Sequence, residues 1–215
     1  MKKENTTVEQ VEKTEDILAK AKANKKSIIL GLIIALVIII AGGIWSVIRQ
    51  SGSNKADELI SKADIEQTDS IATALYAEAA NAGYKSGNRA KAEMGIRLYR
   101  DGKYEEALKY LEDASLDDKI AAAGVYTLRG DCYVNLDNFD KALNCYDKAI
   151  SKADKNPELV PLILVKKANI FRAQGKYADE ASAYKTIIDS YPEYVSSMRT
   201  DIKKYYERAI ASQNK

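Results

Sequence analysis

The chain has 215 residues, 46% hydrophobic and 30% charged, the balance of one folded domain with accessories. Its formal charge is +2, and the 26 basic and 26 acidic residues after position 26 cancel, so the electrostatic footprint of a nucleic-acid binder is missing. It has no histidine, two cysteines and no glycine-rich phosphate loop, which argues against a histidine base, a structural zinc site and a bound nucleotide; we expect no enzyme activity, cofactor, metal or small-molecule substrate.

Only three prolines and eleven glycines punctuate the chain, too few for a many-stranded β protein and suited to helices joined by short turns. Tyr outnumbers Phe fourteen to two. A ring with a polar tip suits thin helical layers in which few side chains are fully enclosed.

Residues 1–27 form a leader, expected on the cytoplasmic side. Thr7 and Gln10 have capping-box spacing, and Val8, Val11, Leu18 and Ala21 form a narrow apolar stripe. A solvated, partly ordered leader is the favoured reading, and a docking helix the alternative. Residues 28–48 carry no charge from Ile28 to Ile48, and at about 1.5 Å per residue they span roughly 30 Å, the thickness of a bilayer core. Trp45 sits near the far end, where an amphipathic ring suits the interface. Lys22, Lys25 and Lys26 crowd the near end, whereas Arg49 and Lys55 follow the far one. That bias orients a signal anchor with its N-terminus in the cytoplasm. Cleavage after Ala41 is disfavoured because it sets the bulky Ile39 where a small residue is preferred.

Residues 49–55 read as a linker, with a break at Ser51-Gly52-Ser53-Asn54. Residues 56–87 form N-terminal capping helices or a degenerate repeat, with strong helix propensity from Ile71 to Ala80.

Residues 88–195 repeat a pattern three times. The first copy runs Gly95, Leu98, Gly102, Tyr104, Ala107, Leu111, Ala114; the second Gly130, Tyr133, Asp137, Phe139, Ala142, Tyr146, Ala149; the third Ala168, Phe171, Gly175, Tyr177, Glu180, Tyr184, Ile187. The aromatics Tyr104, Phe139 and Tyr177 lie 35 and 38 residues apart. A small residue lets two helices of a hairpin approach, large ones fill the space between hairpins, and Gly or Asn in the turn accepts the left-handed conformation that ends a helix. The turns fall at Asp101-Gly102-Lys103, Asp137-Asn138 and Gln174-Gly175-Lys176. One hairpin cannot bury both its faces, so successive hairpins stack.

Cys132 and Cys145 fall on opposite helices of the second hairpin; two small buried residues pointing apart is favoured over a facing, oxidisable pair. Residues 196–215 form a C-terminal capping helix from Ser196 to Ser212, its apolar side made by Met198, Ile202, Tyr205, Tyr206, Ala209 and Ile210.

The repeated pattern resembles the tetratricopeptide repeat, whose period is about 34 residues. The copies lie near 88–121, 123–158 and 161–194, and extra residues around Ser151–Glu158 lengthen the second interval. Arg129 and Lys167 depart from it where an apolar residue is preferred, and Glu180 where a small one is. The fold expected is all-α: one transmembrane helix followed by a tetratricopeptide-repeat solenoid. In this family the first helices line a concave groove. Carried over, the groove positions are Arg89, Ala92, Ile96, Tyr99 and Arg100; Thr127, Asp131, Val134 and Asn135; and Leu162, Val165, Asn169 and Arg172. Apolar pockets beside hydrogen-bond donors suit a polypeptide, the alternative being an ordinary solvated face. The Lys and Asn clamp of chaperone-tail binders is not reproduced.

The whole plan of leader, anchor and exported repeats resembles the ancillary subunit of the bacterial SecYEG translocon, in its Bacteroidetes form. The stretches that carry this are Asn88 to Asp118, with Gly95-Ile96-Arg97-Leu98-Tyr99 and Gly102-Lys103-Tyr104-Glu105-Glu106-Ala107, and Gly130-Asp131-Cys132-Tyr133. The resemblance implies a single-pass protein of the bacterial inner membrane with periplasmic repeats. Its expected partners are translocon subunits, periplasmic chaperones and exported clients. An adaptor for cell-wall synthesis or division, or a cytoplasm-facing targeting receptor, is the alternative.

Overall fold

The computed structural model describes residues 25–82, 84–197 and 201–213. The leader before Lys25 and the apolar contribution expected of Met198 lie outside the described residues. Among these, ten α-helices and no strand occur: α1 Lys25–Ile65, α2 Asp69–Asn81, α3 Tyr84–Arg100, α4 Tyr104–Asp113, α5 Lys119–Asn135, α6 Phe139–Ala153, α7 Leu159–Ala173, α8 Tyr177–Ser190, α9 Pro192–Ser197 and α10 Ile202–Ser212. The chain divides into two compact units, Met1–Ser51 and Gly52–Lys215.

In the first unit, the large apolar side chains from Ile29 to Ile48 are all exposed, Ile29 at 46% and Val47 at 69%. The segment is apolar all round, with no polar face to turn outward, and α1 is long and apolar enough to cross a membrane. One finding differs from the sequence reading. α1 is helical through Ser51-Gly52-Ser53-Asn54, where a break is expected. A lone glycine costs a helix about 1 kcal/mol, too little to end one that lacks proline, and the Ser53 hydroxyl is held 2.7 Å from that of Ser86.

The second unit stacks helical hairpins. α3 and α4, α5 and α6, and α7 and α8 pair within hairpins. The three turns share one geometry. The amide of Lys103 donates to Leu98 (2.9 Å), that of Asn138 to Tyr133 (2.8 Å), and that of Lys176 to Phe171 (2.8 Å). One residue earlier, Gly102, Asp137 and Gly175 have positive φ, at 75°, 55° and 71°. These are Schellman stops. In the middle turn the left-handed residue is Asp137, not the Asn138 next to it. Asn138 instead caps α6, its side chain accepting from the Lys141 amide.

Each small residue receives a large side chain from the second helix of its hairpin. A Cβ on Gly95 falls 2.4 Å from Leu111 Cδ2, and one on Gly130 2.3 Å from Tyr146 Cε1. Ala168 and Tyr184, in the same register, share one buried cluster. Leu111, Tyr146 and Tyr184 are thereby fully enclosed, each removing on the order of 2 kcal/mol of apolar surface from water.

Arg129, Lys167 and Glu180, the departures from the repeat pattern, join neighbouring hairpins. Arg129 lies 3.8 Å from Glu112 and stacks over Tyr126. Lys167 pairs with Asp147 and lies over Phe171. Glu180 is 1% exposed and accepts from Arg208 of α10 at 2.5 Å. At the other end Arg97 pairs with Asp69 and covers the Tyr76 ring, whose hydroxyl donates to Asp64 at 2.5 Å.

Candidate functional site

The first helices of the hairpins, α3, α5 and α7, border an open groove of about 720 Å³ together with the α4–α5 connection. Its lining is mostly apolar and includes Ala92, Ile96, Leu128 and Leu162. Ile96 and Leu162 are 37% and 42% exposed, so the lining presents apolar surface to solvent. Gly124, in the interior of α5, also faces the groove; a Cβ there meets nothing within 4 Å. That separates it from Gly95 and Gly130, where the absence of a side chain is a packing requirement.

Arg89, Ala92, Ile96, Thr127, Asp131 and Leu162, carried over from the repeat pattern, line this groove. Thr127 presents little polarity there, because its hydroxyl donates to the Ala123 carbonyl at 2.8 Å. Tyr99, Val134, Asn135 and Asn169 line a second hollow of about 300 Å³, which shares Asp131 and Lys166 with the groove. The remaining three residues line neither. Arg100 and Arg172 are exposed near the helix C-termini, and Val165 packs against the cluster around Leu164 and Tyr184. Position in the repeat sets the helix but not this last detail, since a residue one step round the helix turns by about 100°.

Asp131 and Lys166 divide the two hollows. Lys166 Nζ lies 2.9 Å from each Asp131 oxygen, and the Tyr146 hydroxyl donates to Oδ1 at 2.6 Å. Burial, with the hydrogen bond to Asp131 second, pushes the Tyr146 hydroxyl far above its ordinary range, so it stays a donor. Burial also raises Tyr99. The Asn135 amide donates to the Asp131 carbonyl at 2.8 Å. The sequence reading did not include Lys166, Gly124 or Glu93 among the groove residues. Gly124 carried a signal, being a helix-interior glycine outside the small-residue register.

Cys132 and Cys145 are both free and buried. Burial pushes the Cys132 thiol up to about 12 and raises Cys145 as well, which leaves little reactive thiolate.

Comparison with known proteins agrees with this architecture. Tetratricopeptide repeat models match residues 98–163 and 163–194. The human Protein O-mannosyl-transferase TMTC1 is 25% identical over an alignment covering 54% of this chain and 18% of the relative. The chain thus spans about a fifth of that protein's length. Repeats of this class are typically non-catalytic modules for protein–protein interaction. Residues 98–194 are therefore tetratricopeptide repeats in an all-α chain that also carries one apolar helix able to cross a membrane.

Proposed function

We propose that this protein is a membrane-anchored scaffold whose repeats capture polypeptide. The open, apolar groove across α3, α5 and α7 carries this reading, because exposed Ile96 and Leu162 offer burial to a partner while Asp131 and Lys166 satisfy each other. The transferase activity named for the human relative does not extend to this chain, because the match covers only 18% of that relative.

The finer reading is a protein of the bacterial inner membrane with its repeats in the periplasm, acting beside the Sec translocon with chaperones or newly exported chains. The lysines ahead of the span support the orientation. The resemblance of Asn88 to Asp118 to the ancillary translocon subunit supports the setting.

A photocrosslinker at Leu162, in the full chain in its own membrane, tests the capture. We expect crosslinks to exported polypeptides or translocon subunits, lost on filling the groove with Gly124→Leu. Equal yields from a crosslinker at Ile210, on the far capping helix, would overturn the groove. Protease added to intact spheroplasts tests the side: digestion of the repeats supports periplasmic exposure, and protection until lysis overturns it.

A further inference from the structure

Leu116 and Val125 line the groove and also a further hollow of about 240 Å³, which holds none of the groove positions carried over from the repeat pattern. Its polar lining comes from three helices and a connection. Glu112 lies in the last turn of α4 and Ser115 in the α4–α5 connection. Tyr126 and Arg129 stand three apart on one face of α5, and Lys152 is in the last turn of α6.

Arg129 is the unusual member. It stands where the repeat prefers an apolar residue, and its side chain is only 18% exposed. The other two departures from the pattern are hydrogen-bonded: Lys167 donates to Asp147, and Arg208 donates to Glu180 at 2.5 Å. Arg129 Nη2 is 3.8 Å from Glu112 Oε1, outside hydrogen-bond reach, and that oxygen already accepts from the Tyr133 hydroxyl at 2.8 Å. Arg129 Nε is buried and has no hydrogen-bond partner among the described residues. A guanidinium carries five N–H donors, and enclosing one without an acceptor is costly unless a ligand supplies it. Lys152 brings a second cation, which forms no ion pair among the described residues, and Ser115 and Tyr126 add hydroxyls. One carboxylate, already shared, stands against them.

We infer that this hollow binds a small free oxyanion, phosphate or a short dicarboxylate. The planar fork of Arg129 suits two oxygens of one group, Lys152 supplies a compact charge, and the two hydroxyls complete the donor set. The volume falls below the roughly 300–1,000 Å³ of pockets for drug-sized ligands, which fits an anion without a large organic body. The site does not depend on polypeptide capture.

The test uses the full chain in nanodiscs of zwitterionic lipid, titrated calorimetrically with sodium phosphate and with sodium succinate at constant ionic strength. Empty nanodiscs and sodium chloride serve as blanks. Saturable binding of phosphate or succinate, absent with chloride, is expected. Arg129→Gln should abolish it, and Lys152→Gln, at an exposed helix end, should weaken it about five- to ten-fold. Glu112→Gln keeps an oxygen for Tyr133 and removes the opposing charge, so it should tighten binding by about the same factor. Should Arg129→Gln fail to fold, the opposite signs at Lys152 and Glu112 still decide. Absence of saturable binding by both anions would overturn the site. Binding that survives Arg129→Gln, or that Lys152→Gln and Glu112→Gln leave unchanged, would overturn it too. Capture at the groove is read separately, by the crosslinker at Leu162.

Discussion

Lys166 of the third repeat holds both oxygens of Asp131 in the second at 2.9 Å, and Tyr146 of α6 closes the same carboxylate at 2.6 Å. Three helices from two repeats thus meet on one charge that is mostly shielded from water. The contact fixes how α7 sits beside α5, and so the width between Leu162 and Thr127 across the groove. Lys166→Met should destabilise the unit by about 1–2 kcal/mol, because it leaves a largely enclosed carboxylate without its cation. Combining it with Asp131→Asn should cost less than the sum of the singles. Urea unfolding of the four proteins in a double-mutant cycle checks this, and additive losses would show that the pair is not coupled.

At the C-terminal end, Glu180 is 1% exposed and its Oε2 has no hydrogen-bond partner among the described residues. Arg208 supplies the cation from α10. Arg208→Ala should therefore cost about 2–4 kcal/mol and release α10, seen as loss of amide-exchange protection over Ile202–Ser212. Replacing both, Glu180→Ala with Arg208→Leu, removes the stranded charge and should recover much of that loss. A single variant no worse than the double would show the pair to be idle.

Three glycines of the repeat unit respond differently to one added methyl group. Gly95→Ala and Gly130→Ala drive a Cβ into Leu111 or Tyr146 and should each cost about 1–3 kcal/mol. Gly124→Ala meets open space in a helix interior and should stabilise by about 1 kcal/mol. Thermal unfolding of the three variants reads opposite signs; a loss at Gly124 would contradict the geometry.

High pH should loosen the domain. Burial first, and the hydrogen bond to Asp64 second, push Tyr76 up to about 12. Burial and the bond to Glu112 do the same for Tyr133, again to about 12. A hydroxyl whose folded value is raised contributes stability that is intact below its unfolded value of about 10 and is lost as pH climbs through the folded one. The urea midpoint should therefore fall between about pH 10 and 12, and Tyr76→Phe should make that fall shallower while costing about 1 kcal/mol near neutrality. An unchanged alkaline limb in this variant would exclude Tyr76 as a contributor.

Thiol chemistry gives a separate readout. With Cys132 buried and pushed up to about 12 and Cys145 buried beside it, neither should react with a maleimide at pH 8 in the native protein, whereas both should react in urea. Rapid native labelling of either would show that the second hairpin opens.

Much of the fold was legible because its signals are local. A run of 21 uncharged residues is a linear property that needs no partner to be read. The offsets from Gly95 to Leu111, Gly130 to Tyr146 and Ala168 to Tyr184 follow from helix pitch and turn length, so three copies in register announce a stacked hairpin. Which residue takes the left-handed turn was less legible: Asp137 and Asn138 are both tolerant of it, and the choice falls to the one whose neighbour makes the better cap.

What only the tertiary structure decided is how side chains from different repeats are paired and turned. Arg129, Lys167 and Glu180 read as flaws in the repeat pattern until their partners Glu112, Asp147 and Arg208 are seen on the adjoining helices. Asp131 and Lys166 neutralise each other across 35 residues, Gly124 faces open space while Gly130 faces a ring, and Arg100, Val165 and Arg172 line neither hollow. The amino-acid sequence by itself determined the helices, their register and the apolar span, because hydrophobic periodicity and turn chemistry act within a few residues. The charge and shape of the groove depend on the rotation of each helix against the next, which the packing of whole hairpins sets.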